Sequence, residues 1–302
     1  TAELLGMEDA LFFPSGTQAN GPGIALCTRP GTELVLEANA HLVTYELAGV
    51  AALWGVQIRP VETPDGRLTA PLVRRALRPA SPHLPRVAAV AVENTHNAAG
   101  GVVWPLDALD AAVATARELG VPVHLDGARV LNAAVALGVE ASRIAAQFDT
   151  VTLCLSKGLG APLGALIAGS AGLMARARRE KHAFGGAMRQ AGIVAAGGLY
   201  ALDHNVERLA EDHDRARRLA EAWAAAGLPV RGETNFVQID VAALGLSPQE
   251  AIERIAAEGV RLSGAGPGRL RAVTHLDLSD ADVDRACELV PRALGIREPV
   301  DA

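Results

Sequence analysis

Lysine is nearly missing from this chain of 302 residues: of 28 basic residues, 26 are Arg and two are Lys, Lys157 and Lys181. A composition that uses Arg wherever a bare positive charge suffices draws attention to the positions where Lys is kept. Lys can lose its proton and form an imine, and Arg cannot. Cysteine is scarce as well. Cys27, Cys154 and Cys287 are odd in number, far apart and without CxxC spacing. That excludes a disulfide scaffold and predicts reduced, buried thiols in a cytoplasmic protein. Aromatic residues make up 3% of the chain, and Trp54, Trp104 and Trp223 form no stripe, so a base-stacking platform is excluded. The net charge of −6 likewise argues against nucleic acid as a partner. No 18-residue apolar run is free of Gly, Pro or charge, so no membrane-spanning helix is expected. The opening residues carry acids where a signal peptide would be basic. Glycines follow neither a GxGxxG nor a GxxxxGKS/T spacing, which excludes dinucleotide and P-loop sites. No HxxxH and no cluster of His, Asp and Glu falls on one helix, so no metal site is expected.

Half of the residues are apolar and 21% are charged, a globular composition with length for one large domain or two moderate ones. Apolar runs alternate with helical periodicity up to about residue 170. Strands are predicted at 33–37, 56–61, 87–92, 121–125, 149–155 and 164–168. Helices are predicted at 16–26, 43–53, 69–77, 105–119 and 128–137. Such alternation means an α/β domain, with a mainly parallel sheet covered on both faces. Sites in these sheets lie at the C-terminal ends of the strands. Residues 187–226 read as one or two long helices. Strands near 234–240 and 269–276, with helices at 247–258 and 279–293, describe a small C-terminal α+β domain. Ser247 and Ser279 are predicted N-caps, each with an acid three residues on, Glu250 and Asp282. The expected division is a large domain over 1–205 and a small one over 206–302.

Three segments carry chemistry. In DTVTLCLSKGLG, a β-rich run delivers Lys157 to a strand's C-terminal end, and Gly158 and Gly160 leave room for a flat cofactor. Alone, Lys157 reads as a surface lysine in a turn. In VPVHLDGAR, Asp126 ends an apolar strand. Alone it reads as a helix cap; functionally its carboxylate pairs with a protonated pyridine nitrogen, the electron sink of pyridoxal phosphate (PLP) chemistry. The spacing of 31 residues suits two neighbouring strands that present both ends of one ring. In FFPSGTQAN, Pro14 and Gly16 turn the chain into a helix whose free amides, with the hydroxyls of Ser15 and Thr17, suit a phosphate dianion. Capping is the simpler role for Ser15.

The ordered set SGTQAN, HLVTYELAG, ENTHNAAGGVVWP, HLDGAR, SKGLGAPLG, GGAMRQAG and RAVTHLDL resembles the low-specificity L-threonine aldolases, PLP-dependent enzymes of the aspartate aminotransferase fold (fold type I). The resemblance runs from near residue 2 to about 295. It implies that Lys157 carries PLP covalently as a Schiff base, that Asp126 holds the pyridinium and that Arg129 lies beside ring and substrate. It further implies that Ser15, Gly16 and Thr17 bind the phosphate, that His41 stacks on the ring and that His96 sits near the substrate hydroxyl. Arg271 would grip the amino-acid carboxylate, and Arg189 would reach a neighbouring subunit's site, making the enzyme a homodimer or homotetramer. The expected reaction is retro-aldol cleavage of L-threonine, L-allo-threonine and related β-hydroxy-α-amino acids to glycine and an aldehyde. A β-eliminating lyase or another fold type I amino-acid enzyme is the alternative, disfavoured by the THN motif. His83, His124, His204, His213 and His275 read as structural.

Two departures accompany the resemblance. His182 stands seven residues before Arg189, where family members often carry Lys. The family's N-terminal arm, with an Arg-Ser-Asp-Thr motif, has no counterpart here, so the substrate site is expected to lack a partner for Arg271.

Overall fold

The computed structural model describes residues 1–79 and 81–296. They fall into two compact units, one built from Thr1–Asn97 and Val103–Val206, the other from Ala98–Val102 and the chain from Glu207 onward. The last six residues of the expected small domain lie outside the described residues.

In the first unit the elements are β1 (Asp9–Phe13), α1 (Gly16–Cys27), β2 (Glu33–Glu37), α2 (His41–Thr44), α3 (Gly49–Trp54), β3 (Gln57–Val61), α4 (Ala70–Ala76) and β4 (Val87–Glu93). They continue with α5 (Leu106–Glu118), β5 (Val123–Asp126), α6 (Val130–Leu137), α7 (Ala141–Ala145), β6 (Thr150–Cys154), β7 (Ala165–Gly169), α8 (Ala171–Ala183) and α9 (Gly192–His204). The seven strands form one sheet in the order β1-β7-β6-β5-β4-β2-β3. Only β7 runs against the others, pairing antiparallel with both β1 and β6. β2 and β6 are buried along their whole length, as strands covered on both faces must be. All six co-directional strands end on one edge. The registers Glu93↔Asp126 and Asp126↔Thr152 set these polar side chains in a row across β4, β5 and β6.

The predicted strands are all present, shifted by at most three residues at their ends. β1 was not expected, because its partner β7 lies over 150 residues away and a five-residue DALFF run has no local signature. α8 was also not expected: its AGLMARARREKHA sequence buries only Met174 and Ala177. The predicted helix 43–53 is broken. Leu47 and Ala48 adopt left-handed backbone, φ 52° and 57°, separating α2 from α3 and turning Glu46 inward. The single predicted span 187–226 resolves into α9 and a later helix in the second unit. Cys154 is buried as predicted, but Cys27 and Cys287 are partly exposed; all three are free thiols.

The second unit holds α10 (Leu209–Ala225), β8 (Val230–Arg231), β9 (Phe236–Asp240), α11 (Pro248–Ala257), β10 (Ser263–Gly264), β11 (Arg269–Val273) and α12 (Asp280–Ala293). Its antiparallel sheet runs β10-β11-β9-β8 over a core around Trp223, Ile239, Leu270 and Val290. Ser247 and Ser279 cap α11 and α12, and Ser279 with Asp282 forms a full capping box. The Gly-Gly pair of the ENTHNAAGG segment belongs here. Gly101 has φ +74°, and a Cβ on it would lie 2.6 Å from the Glu233 carbonyl and the Phe236 ring. Only glycine lets this loop press so closely on the start of β9.

Candidate active site

Loops following β1, β2, β4, β5 and β6 place their polar residues at one sheet edge, where chemistry is expected in such folds. After β1, Ser15 caps α1 by accepting the Gln18 amide at 3.2 Å. The first amides of α1, from Gly16 and Thr17, have no intrahelical acceptor and point toward any bound anion. A cavity of about 250 Å³ opens here, lined by Ser15, Thr17, Glu46, Trp54 and Phe184 among others.

Asp126 lies at the end of β5, nearly fully buried. One carboxylate oxygen accepts the Ala128 amide at 3.1 Å. The other accepts from the Asn20 side-chain amide at 2.9 Å. Asp126 therefore does not cap α6, whose N-cap is Arg129. A buried carboxylate fixed by two neutral donors is suited to a cationic ligand atom. Lys157 is half-buried in the loop three residues beyond β6, on the strand next to Asp126. Both approach Cys154: burial pushes this thiol up, the amine of Lys157 and the guanidinium of Arg129 oppose that, and Asp126 adds to it. A helix N-terminus with free amides, a buried carboxylate and an amine thus meet at one sheet edge, and this donor set fits PLP.

Around these lie residues that the sequence reading left unassigned. Glu46, Asp126 and a ring nitrogen of His41 sit within 4.8 Å of one another. His41 Nδ1 is 3.0 Å from Glu46 Oε1. That bond, outweighing burial and helped by Asp126, Glu46 and Glu93, holds the imidazole above its ordinary value. Glu93, at the end of β4, accepts the backbone amides of His41 at 2.7 Å and Asn97 at 2.8 Å, so one carboxylate braces both histidine-bearing loops. Burial, with Asp126 nearby, pushes Glu93 up, against His96 and these two amides. His96 is 1% exposed, and its Nε2 lies 3.0 Å from Glu37 Oε2. Burial pulls His96 down, but the bond to Glu37 and the charges of Glu93, Glu37 and Asp126 prevail, and it is held above its ordinary value. Burial pushes Glu37 up, yet His96 and the Asn39 donors keep it below. Glu37, Glu46 and Glu93 had a signal in part: Glu37 and Glu93 are acids that end apolar strands, the same pattern that singled out Asp126.

Arg189 and Arg271 are carried by other segments of the chain. Arg189 is exposed, lining an open groove of about 890 Å³ with Arg178, Lys181 and His182. The turn just before it is tied to α1, since Gln18 donates to the Phe184 carbonyl at 2.7 Å. Arg271 is on β11 in the second unit, its guanidinium 5.3 Å from the centre of the Phe236 ring.

The family model for beta-eliminating lyases matches residues 1–243. A low-specificity L-threonine aldolase of Escherichia coli K12 is 42% identical over 285 residues, covering 92% of this chain and 82% of that protein. Among solved structures, the Leishmania major threonine aldolase gives a TM-score of 0.84 at 22% identity, over 97% of this chain and 87% of that one. Aspartate aminotransferase of Thermus thermophilus gives 0.72 at 19% identity, over 97% and 78%. The chain thus shares the fold type I architecture of these structures, and the family match makes it a PLP-dependent enzyme. The chain belongs to the beta-eliminating lyase family and, within it, to the low-specificity L-threonine aldolases, which are carbon–carbon lyases.

Proposed function

We propose that the chain cleaves L-threonine, L-allo-threonine and related β-hydroxy-α-amino acids to glycine and an aldehyde at the sheet edge described above. The observation that carries this reading is Asp126, a buried strand-end carboxylate fixed by Asn20 and Ala128 beside the strand that leads to Lys157. When bound, PLP supplies an electron sink for the pair released as Cα–Cβ breaks. Lys157 would hold the cofactor covalently, Asp126 would hold its ring nitrogen, and His41 would stand against the ring. The amides of Gly16 and Thr17, with Ser15, would hold its phosphate, and Arg129 would serve ring and substrate. His96 takes the β-hydroxyl proton, and Glu37 stabilises the imidazolium that results, as a carboxylate behind a catalytic histidine does. By family resemblance, Arg271 binds the substrate carboxylate through its forked guanidinium. In this division of labour the domain over 1–205 binds the cofactor and that over 206–302 supplies Arg271.

The test is aldehyde release from a panel of β-hydroxy-α-amino acids by the PLP-loaded protein. Glycine and acetaldehyde in equal amounts from threonine are expected. Pyruvate or ammonia from serine or cysteine, with no aldehyde, would instead establish the β-eliminating alternative.

A pH dependence follows from the His96–Glu37 pair. A base acts deprotonated, so kcat/KM falls as pH drops through the His96 value, which Glu37 helps to hold up. Glu37→Gln removes that support and is expected to move the acid limb to lower pH, by roughly one unit. An unmoved limb would mean that His96 is not the group being read.

The working unit is a homodimer or homotetramer, with Arg189 serving a neighbour's site. Its support is the exposed position of Arg189 and the bare apolar residues of α9, where Ile193 is 81% exposed and Leu199 and Tyr200 are each 62% exposed. Such surface on one helix is covered in assemblies. We place the enzyme in the cytoplasm, where free thiols persist. No helix among the described residues is long and apolar enough to cross a membrane.

A further inference from the structure

Asn20 is 3% exposed, and every polar atom of its side chain is engaged. Its amide nitrogen donates at 2.9 Å to Glu46 Oε1 and at 2.9 Å to Asp126 Oδ2. Its oxygen accepts from the Thr152 hydroxyl at 2.8 Å and faces His124 Nε2 at 3.4 Å. This leaves no ambiguity about the amide's orientation, since both carboxylates need a hydrogen and the Thr152 hydroxyl needs an acceptor. Burial holds His124 down to about 4, so its ring is neutral, and Thr150 lies 2.9 Å from its Nδ1. α1 comes near enough for this short side chain to reach because residue 23 is glycine. A Cβ there would stand 2.7 Å from the His124 ring.

We propose that Asn20 is a positioning residue. One amide group ties the ring-nitrogen anchor Asp126 to Glu46, and through Glu46 to His41, so that the groups beneath and beside the cofactor ring are set as a unit. Two carboxylates lie close together here, and the shared donor bonds an oxygen of each. Other titratable groups face Asp126: His41 from α2, Glu93 and His96 at the end of β4, His124 on its own strand, and Cys154 on β6. Among these the Asn20 amide bonds Asp126 and Glu46 alike, and Ala128 bonds only the former. The inference rests on the reading of this edge as the PLP site.

The test is the dissociation constant of PLP from the apoprotein, measured against pH by absorbance titration. Asn20→Leu keeps the volume and removes both donors. Like charges left without a donor favour protonation. Binding in this variant is therefore expected to be about tenfold weaker near neutral pH, with its acidic loss moved to higher pH by roughly one unit. Glu46→Gln retains Asn20 and removes one of the two charges, so its acidic loss is expected at lower pH than in the parent. Adding Glu46→Gln to Asn20→Leu is expected to move the curve back. Glu46→Gln keeps the shape of the site, so it reads the coupling even where Asn20→Leu folds poorly. A uniform weakening at every pH in Asn20→Leu, or an unmoved curve in Glu46→Gln, would overturn the coupling and leave Asn20 as packing alone. Failure of the parent apoprotein to bind PLP would overturn the site reading instead.

Discussion

Lys157→Ala is expected to abolish turnover while leaving the chain folded. The loss should exceed the roughly 10²–10⁴-fold that a positioned acid–base group contributes, because the covalent hold on the cofactor goes with the amine. Lys157 is half-buried, in a loop, and its carbonyl accepts the Gly160 amide at 2.9 Å, a bond that the substitution keeps. Its side chain is no part of the buried core. The decisive measurement is intact mass after borohydride reduction. The parent chain should carry the cofactor's added mass, and the variant should not. A variant that is still labelled, or that still turns over, would place the attachment elsewhere.

Asp126→Asn is expected to bind PLP more weakly and to turn over poorly when loaded. The loss is that of a charge-assisted bond to the ring nitrogen, about 1.5–3 kcal/mol, or roughly ten- to hundredfold in dissociation constant. The fall in turnover should be larger than cofactor saturation can restore, since an amide cannot stabilise the ring cation on which the electron sink depends. Asn20 makes the variant instructive. The new side chain has one oxygen for the two donors that Asp126 satisfies, so either the Asn20 amide or the Ala128 amide loses its acceptor. Near-parental rates at saturating PLP would refute the pairing.

Asp126 and Lys157 were legible because one ends an apolar strand, the other follows one within three residues, and each bears a side chain whose chemistry is rare in that place. Their adjacency was legible too, since 31 residues is the length of one strand–helix–strand passage, and β5 and β6 do pair. Asn20 and Glu46 were not. Asn20 sits inside a helix among small residues, and nothing local says that α1 lies against the face bearing His124 and Asp126. Glu46 falls in a stretch with helical periodicity, and only the left-handed backbone at Leu47 and Ala48 turns it inward. β1 fails for a third reason: an edge strand is made by its partner, and β7 lies far along the chain. Glu37 and Glu93 could have been found by asking of every strand-ending acid what was asked of Asp126.

The placing of Ser15, Gly16, Thr17 and Asn20 on one helix gives the site a built-in gauge. On the proposed assignment, the phosphate-binding amides and the side chain that bonds Asp126 are three to five residues apart on α1. At about 1.5 Å of rise per residue they are separated along the axis by roughly 5–8 Å. The two ends of the cofactor would thus be indexed against a single helix rather than against two independently moving loops. Point changes along that helix can be absorbed by repacking, but a one-residue insertion or deletion between Thr17 and Asn20 cannot. It would swing Asn20 by about 100°, away from Asp126 and Glu46 together, and the spacing of the helix is therefore as much a part of the site as any side chain on it.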